Sequence, residues 1–319
     1  MFQSPVLSAV SRYAVYSKQS ANTMKRSFAT SVVATKRFDT IGVIGAGQMG
    51  MGIAHVAAHI AKKSVILLDS NHKQIEKGVK LLDVLLKKDI LKGKITEEEC
   101  AATKSRISTT TNMKDFAQVD FVIEAVSESP SLKRELFVGL DQITPKHAIL
   151  ASNTSSISIT KIAASTKRPE QVIGMHFMNP VPVMKLVEII PGLATSPETL
   201  ASTLQLAQLM GKTTTESADV PGFIANRVLM PYINEAIYVL QEGIATREHI
   251  DTTMKLGTNV PMGPLTLGDF IGLDTCLAIM RVLHTQLGDD KYRPSPLLIK
   301  YVDAGWLGKK TGRGFYEYK

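Results

Sequence analysis

Apolar residues recur along this chain in two different rhythms. In the first part, short, mostly apolar runs at residues 41–44, 64–68, 119–126 and 148–152 read as strands buried on both faces. Residues 52–61 and 70–105 between them keep helical spacing. Strands that alternate with helices pack most economically as a parallel, doubly wound α/β sheet, whose ligands bind beyond the carboxyl ends of the strands. The rhythm changes after Ala218-Asp219-Val220-Pro221-Gly222, a break. Residues 223–242 and 247–256 then read as helices, the second capped by Thr246. Residues 261–264 form a Pro-Met-Gly-Pro loop, and 265–287 continue helically with interruptions at Gly268 and Gly272. The pattern predicts one α/β domain over 38–218 and a smaller all-helical domain over 219–319.

The first strand runs into Gly45-x-Gly47-x-x-Gly50, a helical stretch follows, and the second strand ends in Asp69, 19 residues after Gly50. Gly45 suits the tight turn, Gly47 the close approach of backbone to a pyrophosphate, and Gly50 the packing of helix on strand. The helix start offers N–H groups and dipole to the phosphates. An acid at the second strand's end accepts hydrogen bonds from ribose hydroxyls and repels a 2′-phosphate, so NAD is the expected cofactor in a Rossmann-type sheet.

The chain has 319 residues and a net charge of +8, unevenly placed: residues 1–28 hold Arg12, Lys18, Lys25 and Arg26 and no acid, hence four of the eight. That segment is Ser-rich and amphipathic, the make-up of a mitochondrial transit peptide, and a matrix location is expected. No basic patch interleaves with aromatics, so nucleic acid is not expected as a partner. No apolar run approaches the roughly 20 residues of a membrane span. Cys100 and Cys276 form neither a disulfide framework nor a metal pair, and no metal is expected. Lys87 and Lys88 read either as a solvated helix face or as attraction for coenzyme A phosphates.

Residues 172–190 carry the chemistry. A strand delivers His176, Pro180 and Pro182 interrupt it, and a second strand sets Glu188 among Leu, Val and Ile. A lone histidine beside apolar residues is ordinarily structural. A carboxylate in such a run is different, because its burial is costly without a partner, and an imidazole twelve residues away is the partner at hand. Such a pair suits removal of a hydroxyl proton while hydride leaves carbon. Ser155 and Asn226 are candidates to hold the reacting oxygen.

The segments GVIGAGQMG (42–50), ASNTSS (151–156), HFMNPVPVMKLVEII (176–190), PGFIANRVL (221–229) and GKKTGRGFY (308–316) together resemble the 3-hydroxyacyl-CoA dehydrogenases over residues 38–319. The resemblance implies oxidation of a (3S)-3-hydroxyacyl-CoA with NAD, within fatty-acid β-oxidation. It implies His176 as base, Glu188 as its orienting acid, and Ser155 and Asn226 at the substrate. It further implies Glu128, Lys133, Asn153 and Asn179 at the cofactor, and a homodimer through the C-terminal domain. A free hydroxy or sugar acid as substrate, and a non-catalytic NAD-binding structural protein, are the competing readings.

Overall fold

The computed structural model describes residues 38–318; the expected transit segment at 1–28 lies outside them. Among the described residues, eight strands form one sheet in the order β3-β2-β1-β4-β5-β6-β7-β8. They are β1 (Thr40–Ile44), β2 (Ser64–Leu68), β3 (Ile107–Thr110), β4 (Phe121–Glu124), β5 (Ile149–Ser152), β6 (Val172–Phe177), β7 (Leu186–Pro191) and β8 (Thr213–Glu216). Every neighbouring pair is parallel except β6 and β7. The strand order reverses between β1 and β4, which opens a crevice at their carboxyl ends.

Successive strand residues face opposite layers. Val43, Leu67 and Ile123 join one buried cluster with Met51 and Ile53, while Ile44, Leu68 and Val122 join another with Phe137 and Leu140. The first face is covered by α1 (Gln48–His59), α2 (His72–Leu91), α3 (Glu97–Ser105) and, farther along the sheet, α6 (Pro197–Leu209). The second is covered by α4 (Pro130–Ile143) and α5 (Ile159–Ala163). Strands sandwiched this way lose water on both sides, which is why they read as continuous apolar runs.

Beyond β8 the chain is helical, as expected: α7 (Ala225–Gln241), α8 (Arg247–Gly257), α9 (Pro264–Ile271), α10 (Leu273–Leu287) and α11 (Pro296–Asp303) share a third buried cluster. The Thr246 hydroxyl accepts from the His249 N–H and caps α8. The expected interruption at Gly268 does not occur; Gly268 lies inside α9, packed near Ile233 and Leu273. Gly272, at φ +103°, makes the break alone. The C-terminal segment is held by the Asp269 carboxylate, which accepts from the N–H groups of Phe315 and Tyr316 and from the Tyr318 hydroxyl, each at 2.9 Å.

Two element boundaries differ from the pattern. The run at 119–126 contributes only Phe121–Glu124 to the sheet, because the Glu124 side chain takes the Val126 N–H at 2.8 Å and turns the chain out. Helix α1 begins at Gln48, ahead of the expected residue 52, since Met51 already donates to the Gly47 carbonyl. No helix among the described residues is long and apolar enough to cross a membrane.

The turn from β1 to α1 tolerates no side chain at two of its glycines. Gly45 has φ +100°, and a Cβ there would lie 2.6 Å from the Ala125 carbonyl oxygen. A Cβ on Gly50 would lie 1.8 Å from the Gly45 carbonyl oxygen, backbone that cannot yield locally. Gly50→Ala is therefore expected to lower the unfolding free energy by about 1–3 kcal/mol and to weaken dinucleotide binding; urea unfolding together with NADH titration checks both.

Candidate active site

Antiparallel pairing of β6 with β7 sets His176 directly opposite Glu188, so their side chains share one face. The His176 Nδ1–H donates to Glu188 Oε2 at 2.7 Å. Glu188 is 1% exposed, and its other oxygen is also engaged: Oε1 accepts from the N–H groups of Ile224 at 3.0 Å and Ala225 at 2.9 Å. These are the first amides of α7, which the turn through Gly222 (φ +79°) and Phe223 (φ +49°) aims at the carboxylate. Burial pushes the Glu188 carboxyl up, but the imidazole and the two amides outweigh it and leave it below its ordinary 4.5. With Nδ1 committed to an anion, the neutral ring has its free lone pair on Nε2, to which the described residues offer no partner.

The 154–156 turn sits beside this pair through Asn226, whose Nδ2 donates to the Ser155 carbonyl at 3.1 Å. One oxygen of Glu128 gathers the turn: it lies 2.6 Å from the Thr154 hydroxyl, 2.9 and 3.0 Å from the Ser155 and Ser156 N–H groups, and 3.1 Å from each serine hydroxyl. Burial raises the Glu128 carboxyl, yet nearby Lys133 and these donors bring it below its ordinary value. Beside Ser155 and Glu128 a cavity of about 350 Å³ opens against Asp274, Ala278 and Ile279 of α10.

Lys133 is wholly buried. Its side chain is 0% exposed and its ammonium lies 2.6 Å from Glu124 and 3.5 Å from Glu128. Glu124, equally buried, also accepts from the Ser152 hydroxyl at 2.6 Å. Sequence reasoning misses Glu124, although the signal that marks Glu188, an acid inside an apolar run, is present in Phe-Val-Ile-Glu-Ala-Val. Asp219 shows in the sequence only as part of a break. Its carboxylate accepts from the Ser158 hydroxyl and the Ile159 and Thr160 N–H groups, fastening the start of α7's turn to α5.

At the crevice the dinucleotide features converge on a cavity of about 500 Å³ lined by Gly45, Gly47, Asp69, Val126 and Ser127 among others. A Cβ on Gly47 would meet nothing within 4 Å, so the loop leaves open space where a diphosphate needs it. Gly47 is also the N-cap of α1 and offers no side chain to its first amides, and no acid stands in the first turn. These residues fit NAD. Asp69 accepts from the N–H groups of Ala46 and Asn71, each at 2.9 Å, and thereby holds the loop against the end of β2. Asn153 accepts from the Phe177 N–H at 2.8 Å, and Asn179 from the Gln48 side chain at 3.1 Å, so both join the strand ends to their neighbours. Lys87 and Lys88 are exposed on α2 and line neither cavity. Among the described residues no group of three or more His, Cys, Asp or Glu is placed to hold a metal.

Known proteins share this sequence pattern and fold. Residues 40–220 match the family model of the 3-hydroxyacyl-CoA dehydrogenase NAD binding domain, and 222–318 match that of the C-terminal domain. A probable 3-hydroxybutyryl-CoA dehydrogenase of Bacillus subtilis is 60% identical over 279 residues, covering 88% of this chain and 97% of the relative. The human protein named mitochondrial hydroxyacyl-coenzyme A dehydrogenase is 43% identical, covering 88% of this chain and 91% of its own length. The crystal structure of a (S)-3-hydroxybutyryl-CoA dehydrogenase from Ralstonia eutropha superposes with a TM-score of 0.86 at 48% identity, covering 89% of this chain and all of that one. With both family models spanning nearly every described residue, this chain belongs to the 3-hydroxyacyl-CoA dehydrogenase family and is an NAD-dependent oxidoreductase.

Proposed function

We propose that the chain oxidises the 3-hydroxyl of a (3S)-3-hydroxyacyl-CoA, with His176 as general base, Glu188 as its orienting acid, and Ser155 and Asn226 at the substrate oxygen. The observation that carries the reading is the 2.7 Å bond between His176 Nδ1 and the buried Glu188, which leaves Nε2 as the open proton acceptor. The His176 Nε2 takes the hydroxyl proton, and Glu188 stabilises the imidazolium that results. NAD supplies the acceptor for the hydride that leaves C3. Gly45, Gly47, Gly50, Asp69, Glu128, Lys133, Asn153 and Asn179 would hold the dinucleotide. Lys87 and Lys88 meet coenzyme A phosphates at the surface.

Residues 38–218 form the NAD-binding domain and 219–319 the substrate and dimerisation domain. The product feeds fatty-acid β-oxidation in the mitochondrial matrix, after removal of residues 1–28. The acid-free N-terminus and the name of the human relative support that location.

NADH oxidation by the protein lacking residues 1–28 is expected with acetoacetyl-CoA and not with free acetoacetate; equal turnover of the free acid would reject the thioester reading. His176→Ala is expected to cut turnover by roughly 10²–10⁴ with NADH affinity retained, and retained turnover removes His176 from the role of base. Glu188→Gln puts an amide N–H against Nδ1 and moves the ring proton to Nε2, so turnover should fall on the order of 10³-fold. Because the Glu188 carboxyl lies below its ordinary 4.5, its stabilising contribution is complete above that pH and is lost as pH falls through the lowered value. Urea unfolding of the wild type and this variant should accordingly converge in acid, and a gap that is independent of pH contradicts the ionised state. Organelle fractionation and solution mass measurement check the matrix location and the homodimer; a cytosolic or a monomeric protein overturns the respective statement.

A further inference from the structure

We infer that Glu128 is a positioning residue that holds the Ser155 proton, so that in the resting cleft Ser155 turns lone pairs, not a donor, towards the substrate oxygen. The inference rests on the proposed placing of Ser155 at that oxygen.

The chemistry is a count of protons. An ionised carboxylate can only accept, and a serine hydroxyl has one proton to give. The Ser155 hydroxyl lies 3.1 Å from Glu128 Oε1 and therefore donates to it. The serine is fixed in that posture from both sides: its N–H donates to the same oxygen at 2.9 Å, and its carbonyl accepts from Asn226 at 3.1 Å. Glu128 is held in turn by Lys133, 3.5 Å from its other oxygen.

Crowding limits the grip. Five donors share Oε1, more than the lone pairs of one oxygen can serve fully. The Thr154 hydroxyl at 2.6 Å is the tightest of them, and the two serine hydroxyls at 3.1 Å are the loosest. A stronger acceptor can thus draw the Ser155 proton away. A neutral 3-oxo group competes poorly with a carboxylate, whereas an oxygen gathering negative charge competes well. The bond from Ser155 to the reacting oxygen then strengthens as charge builds, which is the differential interaction that lowers a barrier. A 3-hydroxyl already bonds through its own proton to His176 Nε2 and needs no further donor, whereas a 3-oxo group brings no proton and depends on a donor at its oxygen. Glu128 therefore biases the resting site towards the hydroxyl ligand.

Two dead-end ternary complexes measure this without turnover: acetoacetyl-CoA with NAD, and 3-hydroxybutyryl-CoA with NADH, each titrated calorimetrically. An amide oxygen is a weaker acceptor than a carboxylate, so Glu128→Gln should shift the ratio of the two dissociation constants roughly 3- to 10-fold towards the oxo ligand. Ser156→Ala, which removes a competing donor, should shift it the other way, a sign that general damage to the loop does not produce. In a Ser155→Ala background both shifts should vanish. An unchanged ratio in Glu128→Gln and Ser156→Ala, or a shift that persists without the serine, overturns the inference. If Ser155→Ala alone alters neither dissociation constant, Ser155 is not at the substrate oxygen, and the proposed site falls with the inference. If Ser155→Ala weakens binding while the ratio is indifferent to Glu128, only the inference falls.

Discussion

The Glu188 carboxylate is the constraint around which the rest is arranged. An anion that is almost wholly buried is tolerated only when its lone pairs are occupied. Here one oxygen takes the imidazole of the neighbouring strand and the other takes the first two amides of α7. Three separate pieces of chain are thereby brought to one point: the strand with His176, the strand with Glu188, and the helix that carries Asn226. Electrostatics at a helix N-terminus favours negative charge, so the same carboxylate that orients the His176 imidazole also docks the start of the helical region on the sheet. Asp219 repeats the device a few residues earlier, joining that start to α5.

A second buried network supports the other side of the cleft. Glu124 and Lys133 neutralise each other out of water, and Lys133 extends to Glu128, which organises the 154–156 turn. Breaking one partner of such a pair leaves an uncompensated charge, so the turn that presents Ser155 is braced by a buried ion pair. One sheet thus carries both features: the crevice at its order reversal, and the antiparallel pair β6–β7 that sets His176 against Glu188.

The doubly wound sheet, the helical second region, the glycine turn and the pairing of His176 with Glu188 are all legible in the residues. Each rests on a local rule: continuous apolar runs for buried strands, helical spacing, the demands of glycine at a tight turn, and the cost of an acid among Val and Ile. The edge strands β3 and β8 are not legible. Their sequences, Ile-Ser-Thr-Thr and Thr-Thr-Thr-Glu, are partly exposed and lack an apolar run. Gly268 misleads because a glycine inside a helix can serve close packing as readily as a break.

Local chemistry in the chain therefore determined which groups needed partners: an acid in each of two apolar runs, an imidazole, and a glycine loop without side chains. Only the tertiary structure decided who those partners are. The amides of Ile224 and Ala225 lie 36 and 37 residues from Glu188, and the Lys133 ammonium meets Glu124 on the neighbouring strand. Backbone amides are present at every residue except proline and carry no sequence signature, so which of them meet a buried charge is settled by the path of the chain in space.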